Sequence, residues 1–169
     1  MKVTAMTFDP LMTAMPSIQI HVAAALLSVV LLPLTLFRRR RDRVHKITGY
    51  VWVTAMLVTA VSSFWINGIR MVGPFSPIHL LSVLVIFNVI WALVEVRRSN
   101  IARHELILKA TAFWSLGVAG LFTLLPGRMM GEMVFGDAQV TGFTAAFTLA
   151  VLLVVRNGFP KGFRAIEAK

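Results

Sequence analysis

The chain has 169 residues, 57% of them hydrophobic and 14% charged, with a mean hydropathy of +0.79. A soluble domain usually carries about 25% charged residues, so the composition excludes an ordinary soluble globule, a disordered tail and a soluble nucleic-acid binder. There is no cysteine, which excludes disulfides, thiolate zinc sites, iron–sulfur clusters and cysteine nucleophiles.

Five apolar stretches follow in chain order: Ile18–Phe37, Ile47–Ile66, Pro77–Val96, Leu106–Leu125 and the shorter Ala138–Val155. Each approaches the ~20 residues that cross a bilayer as a helix. Lipid offers the backbone no hydrogen-bond partners, so such spans satisfy themselves internally as helices. They are too long, and alternate too little, for barrel strands. The expected fold is an all-α integral membrane protein with five transmembrane helices in a single membrane domain, 1–169. The first sixteen residues lack the compact apolar run of a cleavable signal, so the first span is expected to remain as an anchor.

The net charge of +10 is unevenly placed. The segment Arg38–Lys46 holds six Lys/Arg, Arg97–Glu105 holds three and Arg156–Lys169 holds four. The alternate segments hold one each: Lys2, Arg70 and Arg128. The positive-inside rule therefore puts the N-terminus outside and the C-terminus in the cytoplasm. Contact of the basic side with anionic lipid follows from the same charges.

A weak duplication organises spans one to four. Ser17-Ile18-Gln19-Ile20-His21 is matched by Phe75-Ser76-Pro77-Ile78-His79, and Val44-His45-Lys46 by Arg103-His104-Glu105. His21 to His79 is 58 residues, His45 to His104 is 59 and Arg70 to Arg128 is 58. The copies, about 17–70 and 75–128, each hold one helix hairpin in the same membrane orientation. Parallel repeats are related by a pseudo-twofold axis along the membrane normal. Spans one to four then form a pseudo-twofold bundle of two tandem hairpins, with the helix near 138–155 added outside it.

All four histidines fall at repeat-related places. His21 and His79 lie about one turn inside the outer ends of spans one and three, whereas His45 and His104 stand just before spans two and four at the cytoplasmic end. The twofold pairs them, one pair near each surface. Haem b takes two axial imidazoles from opposite faces of its ring, so two stacked haems would use all four and form a route for electrons. Zinc is a poorer match, because it prefers four ligands and each layer offers two. Taken singly, a histidine at a helix end is more often structural. Histidines inside apolar runs are costly unless partnered or functional.

Arg70 and Arg128, level with the outer pair, suit haem propionates or another carboxylate, or else snorkel to headgroups. Eight of the nine methionines lie toward the outer side, which raises a Cu(I) site against ordinary interfacial packing. Gly117, Gly120 and Gly142 with neighbouring alanines would permit close helix approach, or make room for a porphyrin edge. No phosphate loop, dinucleotide fingerprint or HExxH motif is present.

The run His45-Lys46-Ile47-Thr48-Gly49-Tyr50 resembles the H-R-x-x-G-Y signature of transmembrane di-haem cytochromes b that use ascorbate-type donors. That resemblance implies pairing of His21 with His79 and of His45 with His104. The second copy departs from it, with Glu105 in place of Lys46 and no glycine matching Gly49. A closer likeness covers nearly the whole chain. Ser62-Ser63-Phe64-Trp65-Ile66, Ser76-Pro77-Ile78-His79-Leu80-Leu81-Ser82 and Phe122-Thr123-Leu124-Leu125-Pro126-Gly127-Arg128 are similar to a family of small bacterial membrane proteins of unknown function.

The expected function is b-type haem binding and transmembrane electron transfer in a bacterial inner membrane, with a quinone or periplasmic redox partner. The alternatives are a non-redox membrane protein holding copper or zinc, a histidine-based membrane hydrolase, and a structural or assembly subunit.

Overall fold

The structure, a computed structural model, describes residues 8–38, 40–66 and 77–157, and all regular structure among them is helical. The helices are α1 (Asp9–Met12), α2 (Pro16–Leu36), α3 (Arg43–Ser62), α4 (Pro77–Arg97), α5 (Ile101–Ala112), α6 (Ala119–Thr123), α7 (Met129–Phe135) and α8 (Gln139–Asn157). A 3₁₀ turn, Ser63–Trp65, ends α3, and a π-helical turn, Phe113–Val118, joins α5 to α6. Among the described residues, five segments are long and apolar enough to cross a membrane: Pro16–Leu36, Arg43–Trp65, His79–Arg97, Ile101–Thr123 and Met129–Leu153. The chain divides into two compact units, Leu11–Ala119 and Gly120–Lys169 with Met1–Pro10.

Within the larger unit, α2 opens on Pro16, whose missing N–H falls where a helix start has no acceptor for it. The Gln19 side chain folds back to donate to the carbonyls of Leu11, Met12 and Ala14. Pro33 sits inside α2, where apolar neighbours and lipid leave helix as the only self-satisfied backbone.

Spans two and four start earlier than their apolar runs. Asp42 caps α3 by accepting from the His45 backbone N–H at 3.1 Å, and Asn100 caps α5 by accepting from Arg103 N–H at 3.3 Å. A side-chain oxygen at that place satisfies an otherwise orphaned N–H. The caps are 58 residues apart, so the duplication extends to the helix starts. The α4–α5 turn closes through Asn100 N–H to the Glu95 carbonyl at 2.9 Å, with Ser99 left-handed at φ 62°.

Neighbours around this unit are α2–α3, α3–α4, α4–α5 and α5–α2. The diagonals of the four-helix ring are therefore α2 with α4 and α3 with α5. Its middle is filled by Trp52, Met56 and Val89, each at most 1% exposed, with Ala60, Ala92 and Leu108 around them. The Trp52 indole N–H donates to the Ser28 carbonyl at 3.0 Å, tying α3 to α2.

In the smaller unit, α7 and α8 are joined by a 3₁₀ turn, Gly136–Ala138, and form one candidate span longer than the expected Ala138–Val155. A Cβ at Gly142 would run into the Phe135 ring, so a side chain there would force that ring to move. Gly131 faces the Leu125 carbonyl, which a Cβ would meet at 2.7 Å.

Candidate functional site

In a bundle surrounded by lipid, both faces of a helix are apolar, so the inward face is marked by small and polar residues rather than by amphipathicity. On α4 the buried stripe reads His79, Ser82, Val85, Val89, Ala92, Glu95. On α2 it reads Ala24, Ser28 and Thr35, with His21 one turn before Ala24 on the same face. His45 stands two turns before Trp52 on α3, and His104 one turn before Ile107 and Leu108 on α5. All four histidines thus lie on inward stripes, two near each end of the bundle.

At the end of the bundle expected to face outward, His21 Nδ1 donates to the Thr59 carbonyl at 2.9 Å and lies 3.2 Å from Ser62 Oγ. His79 is 4% exposed and stacks on Phe64, with ring centroids 5.7 Å apart. Between these contacts the Ser63 hydroxyl meets that of Ser82 at 2.6 Å. Both outer histidines therefore converge on Ser62-Ser63-Phe64, the end of α3, from two different helices. The Ser-Ser-Phe and Pro-Ile-His-Leu-Leu-Ser runs, separate in sequence, are two sides of one polar layer.

The opposite end, expected to face inward, differs in detail. His104 Nδ1 donates to the Ala92 carbonyl of α4 at 2.8 Å. The buried His45 Nδ1 has no hydrogen-bond partner among the described residues. Both inner histidines sit in the first turns of their helices rather than before them, because the Asp42 and Asn100 caps start the helices early. His45 is the third residue after its cap and His104 the fourth, so the 59-residue offset turns one imidazole by about 100° relative to strict repeat symmetry.

The two layers are about 20 Å apart by either helix: His45 to Thr59 along α3, or His79 to Ala92 along α4, at 1.5 Å per residue. Trp52, Met56 and Val89 fill the space between them. The Phe113–Val118 π-turn sits one repeat after residues 55–60, which include the Thr59 carbonyl that holds His21. Such turns often mark functional places.

Two imidazoles carry the proton on Nδ1 and commit it to a carbonyl, which leaves Nε2 as a lone-pair donor, the arrangement metal-ligating histidines adopt. A third, His45, holds a buried nitrogen the described chain does not satisfy. Gly117 and Gly120, both expected to permit close helix approach or make room, have nothing within 4 Å of a Cβ position. Gly117 therefore leaves open space rather than a close helix contact. No group of three or more His, Asp or Glu that could hold a metal ion occurs among the described residues.

Of the other expected site residues, Arg70 lies outside the described residues. Arg128 is half-buried at the start of α7 in the smaller unit, and its side chain makes no cap bond. Glu105, a departure from the repeat, has a structural role. It accepts from Arg41 at 2.7 Å and pairs with Lys109 at 3.4 Å, joining the first inner loop to α5.

Glu95 is the residue that sequence reasoning passed over. It is 5% exposed, accepts from the Trp91 indole at 3.1 Å, and stands one turn beyond Ala92 on the inward stripe. Arg103 lies over the Trp91 ring at 5.2 Å. An acidic residue within an apolar run was the available signal.

The family described as Predicted membrane protein (DUF2306) matches residues 18–157, and the chain belongs to it. No curated protein and no solved structure matches the chain.

Proposed function

We propose that this member of the DUF2306 membrane-protein family binds b-type haem at two levels and carries electrons across a bacterial inner membrane. The observation that carries the reading is the tautomer lock. His21 and His104 each commit Nδ1–H to the carbonyl of a neighbouring helix, Thr59 and Ala92, which makes Nε2 the lone-pair nitrogen.

His21 and His79 would hold the outer group and His45 and His104 the inner one, each pair set on a diagonal of the helix ring. Haem supplies a one-electron couple whose potential depends on its axial ligands and burial. The chain's own residues orient the imidazoles through Thr59 and Ala92, exclude water between the layers with Trp52, Met56 and Val89, and anchor the inner end through Arg41–Glu105. Arg70 and Arg128 are proposed for the propionates. The basic segments Arg38–Lys46, Arg97–Glu105 and Arg156–Lys169 face the cytoplasm in this reading. The electron donor on the outer side is a membrane quinone or a periplasmic redox protein.

The test is an absorption spectrum of protein purified after haem-replete expression. A reduced-minus-oxidised b-type α-band, diminished by His79→Ala, supports the reading. A folded, colourless protein overturns it, and metal analysis then separates copper or zinc from a structural role.

A further inference from the structure

Asn88 stands at the middle of its candidate span, nine residues after His79 and nine before Arg97. At 1.5 Å per residue it lies about 14 Å from either end, at the midplane of a bilayer the span would cross. It is half-buried, neither of its amide atoms is sealed from the surface, and among the described residues it has no hydrogen-bond partner. The two other carboxamides in candidate spans are engaged. Gln19 donates to the carbonyls of Leu11, Met12 and Ala14, and Gln139 accepts from the Gly127 backbone N–H at 2.7 Å.

A carboxamide carries two N–H donors and a carbonyl acceptor, and lipid chains offer partners to neither. A hydroxyl in a span can turn to the carbonyl four residues back, as Thr35, Thr59 and Thr111 do at 2.8–2.9 Å. Asn88 makes no such bond, so its needs are met from outside α4. α4 packs on α3 and α5, and the face beside Asn88 has the spacing of a helix seam. Leu84, Phe87, Asn88 and Trp91 recur at i, i+3, i+4 and i+7. Leu84 and Phe87 are 49% and 60% exposed, and the Phe87 and Trp91 rings stand 5.9 Å apart. One polar residue in such a seam fixes register and the number of helices that meet, and carboxamides bond across helices within membranes.

We infer that α4 pairs with α4 of a second copy of this chain, the two Asn88 carboxamides bonded to each other across a twofold axis. The chemistry selects that partner. An identical carboxamide supplies a donor for the carbonyl and an acceptor for the N–H at once. Two copies inserted in the same sense hold it at the same depth, and an isologous contact closes at two copies. No histidine takes part, so the pairing is independent of the haem reading.

The chain has no cysteine, so single cysteines report the contact in native membranes. On mild oxidation Leu84→Cys should give a disulfide-linked dimer, and Ile90→Cys, comparably exposed on another side of α4, should not. In phosphatidylcholine liposomes, single-molecule photobleaching of the fluorophore-labelled full chain measures the dimer fraction as protein is diluted. Asn88→Leu should weaken the dimer about tenfold, the worth of an interhelical hydrogen-bonded pair in a bilayer. Its helical content should be unchanged, since Asn88 makes no hydrogen bond among the described residues. Asn88→Gln, which keeps the carboxamide, should recover part of the loss. A monomer at every dilution overturns the proposal, and would mean that water or another span of the same chain meets Asn88. Equal cross-linking through Ile90→Cys, a dimer as strong in Asn88→Leu, or assemblies of more than two copies overturn it as well.

Discussion

His104 on α5 donates its Nδ1 proton to the carbonyl of Ala92 on α4 at 2.8 Å, which fixes the ring about its bonds and leaves Nε2 as its only lone-pair donor. His21 repeats this arrangement at the other end of the bundle with Thr59 on α3. If these are ligands, each layer should fail separately. His21→Ala or His79→Ala is expected to remove about half of the b-type absorbance, and His45→Ala or His104→Ala the other half, since each haem needs both axial imidazoles. The double variant His79→Ala/His104→Ala should have none. Haem-to-protein ratios of variants with unchanged helical content decide it; single substitutions that leave the spectrum intact would remove those residues from the ligand set.

Trp52 separates the two layers and carries the larger part of the packing between them. Trp52→Phe keeps most of the volume and loses the bond to the Ser28 carbonyl, an expected cost of about 1 kcal/mol. Trp52→Ala empties a fully buried site and should cost about 3–5 kcal/mol. Reversible unfolding in mixed micelles measures both. Equal losses in the two variants would mean that the hydrogen bond, and not the packing, holds α2 to α3.

The five spans and the inward placement of the histidines were legible in the sequence, for different reasons. Length and apolarity fix a span because the bilayer has a set thickness. Helix starts were less legible: the apolar runs begin at Ile47 and Leu106, but Asp42 and Asn100 begin the helices earlier and draw His45 and His104 into them. Which face of each helix is buried could not be read from hydrophobicity, because lipid and core are equally apolar. It had to be read from Ser28, Ser82, Ala92 and Glu95 in the structure. Glu95 was hidden by standing next to the basic loop, where an acidic residue looks like ordinary interfacial charge.

Asp42 gives the inner end a defined response to acid. The Arg38 guanidinium, and then the His45 backbone N–H, hold its carboxyl well below the usual 3.8, at about 2. A carboxylate whose value is lowered on folding adds stability that is complete above its unfolded value and is lost as pH falls through the folded one. The start of α3 is therefore expected to weaken between about pH 4 and pH 2. Asp42→Asn keeps a capping oxygen and loses the ion pair, so its thermal midpoint should lie below the parent's at pH 6 and change less with acid. Parallel pH profiles for the two proteins would show that Arg38–Asp42 contributes nothing to folding.

The orientation rests on charge alone and can be checked without disturbing the fold, because the chain has no cysteine. Met15 precedes α2 and is 59% exposed, and Ser99 lies in the exposed turn between α4 and α5. With thirteen loop cations on one side, Met15→Cys should react with a membrane-impermeant maleimide in intact cells, and Ser99→Cys only after the membrane is opened. The opposite pattern would turn the molecule over. It would place the His21 layer on the cytoplasmic side, and under the proposed haem reading the electron donor for that layer would then have to come from the cytoplasm.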